Sequence, residues 1–264
     1  MPLVVAGVVL LICYWFARVN RQGTVRQVSH HDRARPVSMA PRSPLHQLPC
    51  LEDPLDAVRG APIPQEKRRI LARRAAVSEG TASSQSSARL ASDKNQVMDE
   101  LLNQATIPAD YAKEMLALFR DRSQDVHTRN FAVQHIGLYA EALSRRGAYD
   151  ADSAEAGEVR RALDEASREM KCTVAAAAFR ALADMGAFDP RIDGAGLERR
   201  LVSCVGDAAA APAARMMAIQ VCGERRVDAA VSELRRVLRE SASTASLRLS
   251  AAYALRCMGL NPMP

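Results

Sequence analysis

Four Ala-rich segments, each running up to a glycine, recur along this 264-residue chain and constrain its fold more than any other feature. They are Asn130–Gly137, Val174–Gly186, Ala211–Gly223 and Ser246–Gly259. Aligned on the glycines, the position five before is Ala132, Ala181, Ala218 and Ala254, and the position four before is Val133, Leu182, Ile219 and Leu255. The position just before is Ile136, Met185, Cys222 and Met258. An all-alanine column beside an all-aliphatic one marks an internal repeat. At 100° per residue these columns share one side of a helix. Each segment is therefore expected to be an amphipathic helix closed by its glycine.

The glycines lie 49, 37 and 36 residues apart, which leaves room for a second helix in each unit. The apolar mass of the chain supports helices: hydrophobic residues make up 48% but aromatics only 4%, so alanine, leucine and valine dominate. Helical stretches fall at Val97–Gln104, Asp110–Arg120, Asp125–Ser144, Glu155–Met170 and Leu197–Val205, and Val227, Val231, Leu234 and Leu238 stripe another. Asp189–Pro190 is a turn signal. The fold class expected is all-α: an α-solenoid of about four helix pairs over residues 93–260, each pair stacking on the next because neither buries its apolar face alone.

The stretch V-x-x-A-A-x-x-A-L-x-x-M-G, followed by a turn and a second helix, resembles the bacterial HEAT-like repeats, including those related to phycobilisome-lyase repeats. The units Ala211–Leu238 and Ser246–Gly259 match best, Val174–Pro190 matches in its helix, glycine and Asp-Pro, and the unit near residue 130 matches in its helix alone. The resemblance implies architecture more than function. It also implies that the second helix of each pair lines the binding surface, and it opens an enzyme reading in which a tetrapyrrole chromophore is handled.

Ahead of the repeats, Leu3–Ala17 is an uncharged apolar run of about 22 Å if helical, set against a hydrocarbon core of about 30 Å. Residues 1–18 are read as an uncleaved transmembrane anchor. Arg18, Arg21, Arg26, Arg33 and Arg35 follow it, so the bulk of the chain is expected on the cytoplasmic side of the inner membrane. A secretory signal with export to the periplasm is the alternative. Seven prolines between Pro36 and Pro64 and the Ser-rich tract Ser78–Ser92 make residues 19–92 a basic linker with one short helix near 65–77. On that helix Lys67, Arg68, Arg69, Arg73 and Arg74 are candidates for contact with an anionic membrane surface.

The net charge of +6 divides into +7 for residues 1–92 and −1 for the remainder. A nucleic-acid-binding solenoid would carry the excess on its folded part, so no nucleic acid is expected. The chain holds no phosphate-binding glycine loop, no H-E-x-x-H and no G-x-S-x-G. Its six cysteines show no zinc spacing, and no catalytic residue, cofactor or metal is assigned. Columns three, six and ten before each glycine face away from the packed side. They hold His127, Phe131 and Gln134, then Arg180, then Met217 and Gln220, then Tyr253 and Arg256. Aromatic, Met and Arg side chains are the types enriched at interfaces. The function expected is a membrane-tethered scaffold binding a protein partner through this face. The chain has no evident capping helix after Gly259, which leaves open a homo-oligomer through that end.

Overall fold

The computed structural model describes Leu55, residues 57–74 and residues 81–262, with the helical backbone alone for 81–85. All belong to one compact unit, Pro49–Pro264, and the expected anchor over residues 1–18 lies outside the described residues. The unit is helical. In chain order it contains β1 (Arg59–Gly60), α1 (Gln65–Ala72), α2 (Thr81–Leu102), β2 (Ile107–Pro108), α3 (Tyr111–Arg120), α4 (Val126–Arg145) and α5 (Ala154–Ser167). There follow α6 (Val174–Met185), α7 (Gly194–Gly206), α8 (Pro212–Arg225), a 3-10 turn at Asp228–Ala230, α9 (Val231–Arg239) and α10 (Ala245–Cys257). The two strands pair in parallel, Arg59 with Ile107 and Gly60 with Pro108.

Local chemistry sets the helix starts. Asp125 accepts from the backbone N–H groups of His127 and Thr128 at α4, Ser153 from Ala156 at α5, Asp193 from Gly196 at α7, and Thr244 from Leu247 at α10. Pro212 opens α8 at a position where its missing N–H costs nothing. The helix ends are less uniform than the sequence pattern suggests. Gly137 lies inside α4 and Gly223 inside α8, so neither closes its helix. The left-handed residues that end α4, α8 and α10 are Gly147 (φ 69°), Arg226 (φ 54°) and Gly259 (φ 77°). In all three the following amide bonds back five residues, Ala148 to Leu143, Val227 to Cys222 and Leu260 to Leu255.

Gly137 and Gly223 are there for packing. A Cβ on Gly137 would lie 2.5 Å from the Ala181 methyl, and one on Gly223 would lie 2.6 Å from the Ala254 Cα. The glycine of one repeat helix thus seats against the alanine column of a later one, which lets α4 meet α6 and α8 meet α10 at close range. The helices pair as α3 with α4, α5 with α6, α7 with α8, and α9 with α10, while α4, α6, α8 and α10 stack in a row. Four helix pairs stacked in order are consistent with an α-solenoid. The alanine and aliphatic columns are buried throughout, as are Ile136, Met185 and Cys222.

The unit begins earlier than residue 93. Val58, Ile63 and Leu71 are buried in the same core as the repeats, and α1 packs on α2, which packs on α4. Residues 57–74 and the start of α2 are therefore not linker. Their few apolar side chains gain burial from the surface the repeats offer, a tertiary effect that outweighs the proline and serine content. Asp110 fastens this segment, accepting from the Ile63 amide at 2.8 Å and from the Arg68 guanidinium. Arg59 reaches Glu155 at 2.6 Å, and Glu155 also accepts from Tyr139 at 2.6 Å.

Candidate protein-binding face

Two buried arginines fix the directions of the helices. Arg129, in the first turn of α4, donates to the Phe119 carbonyl at the end of α3 (2.9 Å) and to both Glu169 oxygens just past α5 (2.8 and 3.0 Å). Arg215, at the matching place in α8, donates to the Val205 carbonyl near the end of α7 (3.1 Å), with Glu240 past α9 at 3.7 Å. The C-terminal ends of α3, α5, α7 and α9 thus share an edge with the starts of α4 and α8. The guanidinium groups also compensate the negative ends of those helices. Short connections keep neighbours antiparallel, so α4, α6, α8 and α10 run the same way and end on the opposite edge.

Columns three, six and ten before the repeat glycines lie along one side of that row. His127 and Gln134 are exposed on α4, and Phe131 is half-buried against the core. Arg180 on α6 is half-buried and committed to two ion pairs, with Asp184 (2.6 Å) and across to Glu224 on α8 (2.5 Å). Met217 and Gln220 on α8 are half-buried, and Met217 packs on the core. Tyr253 and Arg256 on α10 are exposed, Tyr253 at 58%. The centre of the face is small and shallow, because the same columns hold Ala176, Ala183 and Ala213. Leu249 is absent from the expected set. It stands ten before Gly259, in the column of His127, and is 73% exposed. Its column was the signal for it. The outward apolar area therefore grows toward α10, where Leu249 and Tyr253 lie one turn apart.

The basic cluster of α1 is divided. Lys67 pairs with Glu100 at 3.1 Å, Arg68 with Asp110, and Arg74 with Asp121 at 3.2 Å, while Arg69 and Arg73 are exposed. Three of the five candidates thus hold α1 on the helical unit.

Charge is unevenly distributed along the repeats. Residues 93–210 hold 15 Lys+Arg against 20 Asp+Glu, whereas residues 211–264 hold 8 against 4. Of the twelve arginines in 93–210, eleven form ion pairs, and the twelfth, Arg146, donates to the Gln104 and Ala105 carbonyls. Of the eight in 211–264, Arg215 and Arg236 approach acids, and Arg239 and Arg248 donate to backbone carbonyls. The guanidinium groups of Arg225, Arg226, Arg235 and Arg256 have no ion-pair or hydrogen-bond partner among the described residues.

The interior titratable groups are enclosed. His135 is buried, with Nδ1 2.7 Å from the Tyr111 hydroxyl and Nε2 3.2 Å from Asn95 Oδ1, so it shares no surface with the exposed His127. Lys94 is fully buried and donates to Gln124 Oε1 at 2.6 Å, and burial pushes its pKa down. Asp189 accepts from Tyr149 (2.6 Å), Arg160 (2.7 Å) and the Arg191 amide (2.9 Å). Burial pushes its pKa up, but these bonds outweigh burial and hold it below the usual carboxylate range. Burial pushes the Cys204 and Cys222 thiols up to about 12. Among the described residues, no group of three or more His, Cys, Asp or Glu is placed to hold a metal ion. No described helix is long and apolar enough to cross a membrane. Compared with protein-family models, with curated proteins and with solved structures, the chain matches none.

Proposed function

We propose that this chain is a HEAT-like helical-repeat scaffold that captures a protein partner on the outward face of α4, α6, α8 and α10. In this reading residues 1–18 tether it to the inner membrane with the repeats on the cytoplasmic side. The observation that carries the proposal is the exposure of Leu249 and Tyr253 in the columns that also hold Phe131 and Met217. Large apolar side chains left in water on a regular surface mark interaction sites more often than solvated faces do. The face is shallow and lined by helices, which suits a protein surface better than a small molecule, since small-molecule sites are concave and enclosed.

In vivo photo-cross-linking tests the reading. A photoreactive amino acid placed at Gln220 or Tyr253 should give discrete adducts, and one placed at Arg161 or Arg235, off the face, should give none. Adducts of equal yield at all four positions, or none at the first two, would overturn it. A phosphatase reporter fused after Pro264 tests the tether: the cytoplasmic placement requires an inactive reporter.

A further inference from the structure

We infer that the occupant of the α8–α10 end of this face is an acidic peptide segment carrying an apolar anchor. This rests on the scaffold reading above and names the chemistry of its partner.

The ends of α8 and α10 lie side by side, because Gly223, two residues before the end of α8, seats against Ala254, three before the end of α10. Three arginines stand at this edge: Arg225 and Arg226 at the end of α8, the Arg225 guanidinium lying toward Gly186 and Gly194, and Arg256 in the last turn of α10. All three are exposed and unpaired among the described residues. Beside them, Leu249 and Tyr253 present the largest exposed apolar side chains of α10. A shallow depression lined by Arg256, Gly259, Leu260, Asn261 and Pro262 adjoins them.

Arg226 adds an independent observation. It holds a left-handed conformation (φ 54°) at the helix end where α4 and α10 have glycine. An L side chain there costs about 1–2 kcal/mol. A strained residue that keeps an unpaired charge pointing to solvent indicates selection for the charge over the backbone.

Charge complementarity sets the sign of the occupant. Eleven of the twelve arginines of residues 93–210 are paired with acids within the fold, and those at this edge are left for another molecule. The same distribution limits its length. A long polyanion would extend onto the stretch with 20 acids against 15 bases and be repelled, whereas a short acidic segment stays within the basic end. Leu249 and Tyr253 give such a segment an apolar seat that a phosphate backbone would not fill.

The test pans random twelve-residue peptides displayed on phage against the full-length protein in detergent micelles. The expected result is enrichment of sequences combining Asp or Glu with Leu, Phe or Trp. The best of these, synthesised with a fluorescent label, should bind with an affinity that falls as salt rises. R225E/R226E/R256E should weaken it at least about tenfold, the size expected for lost charge complementarity, while R225K/R226K/R256K retains most of it. L249A/Y253A should weaken it as well. Failure to enrich acidic sequences, or binding indifferent to the triple Glu variant, overturns the inference. So does saturable binding of a thirty-nucleotide oligodeoxythymidine or of phosphatidylglycerol vesicles that the triple Glu variant abolishes, since either identifies a different occupant. A concentration-dependent dimer that L249A/Y253A abolishes would assign the patch to a second copy and also overturns it. If the adducts at Gln220 persist in the triple Glu variant, the scaffold reading stands while the acidic occupant falls.

Discussion

The first two helix pairs, α3 to α6, and the last two, α7 to α10, are built on one plan and differ in how their charges are used. Both place a glycine of one repeat helix against an alanine of a later one, Gly137 on Ala181 and Gly223 on Ala254. Both set a buried arginine ten residues after the carbonyl it binds, Arg129 on Phe119 and Arg215 on Val205. The first half satisfies these groups: Arg129 is bidentate to Glu169, and Asp189 accepts from Tyr149, Arg160 and the Arg191 amide. The second half leaves them open. Glu240 stands 3.7 Å from Arg215, the position matching Asp189 is Pro262, and Arg225, Arg226, Arg235 and Arg256 pair with no acid among the described residues. Apolar packing specifies the repeat, and the polar surface is free to diverge once that packing is met.

The largest expected effect breaks this comparison at its arginines. Arg129→Met should cost about 3 kcal/mol, because it leaves Glu169 and the end of α3 without their partner. Arg215→Met should cost about 1–2 kcal/mol, since one carbonyl bond and a long ion pair are lost. Denaturant titration of both variants gives the difference, and equal losses would mean the two clamps are equivalent despite their geometry.

Next in size are the glycines. Gly223→Ala gains about 1 kcal/mol of helix propensity but drives a methyl into the α10 backbone. A net loss of about 2 kcal/mol is expected. Gly157→Ala, in α5, meets only the end of the Arg160 side chain at 3.8 Å and should stabilise by about 0.5–1 kcal/mol. Opposite signs on thermal melts support the close-approach role, and a stabilising Gly223→Ala would refute it.

These glycines also mark where the sequence is readable and where it is not. Column burial was legible, because an alanine or aliphatic side chain repeated at one helical angle has a single economical place, the core. The role of Gly137 and Gly223 was not, since a helix terminus and a close helix contact both select glycine. The order in residues 57–74 and 81–92 was also hidden. Val58, Ile63 and Leu71 are too sparse to show a period, and their burial depends on a surface formed by α2 and the repeats. Of the candidate face, the direction was legible from the columns. The tie from Arg180 to Glu224 was not, because it joins residues 44 apart, whereas the pair with Asp184 is a local one four residues along the same helix.

The Asp189 cluster gives a smaller, pH-dependent difference between the halves. Its carboxylate is held below 3.8, so its contribution is complete above that value and is lost as pH falls through the lower folded-state pKa. Asp189→Asn should cost about 1–2 kcal/mol at pH 7. The gap between variant and parent should narrow below about pH 4 as the parent's carboxylate is protonated. A gap that stays constant down to pH 2 would show that shape, not charge, is what the cluster requires.

The smallest effect is expected at Arg226, where stability and binding should move in opposite directions. Glycine relieves the left-handed strain of about 1–2 kcal/mol but adds freedom to the unfolded chain. Arg226→Gly should therefore stabilise by about 0.5–1 kcal/mol. Gly147 and Gly259 already occupy the equivalent ends of α4 and α10, so the backbone has a precedent for the exchange within the same molecule. Because Arg226 makes no ion pair within the described residues, nothing in the fold is lost with its side chain. Affinity for the acidic peptide should fall even as the melting temperature rises, a combination that general destabilisation cannot produce. Unchanged affinity in a more stable variant would remove Arg226 from the binding edge, and a less stable variant would mean that its side chain supports the turn between α8 and α9.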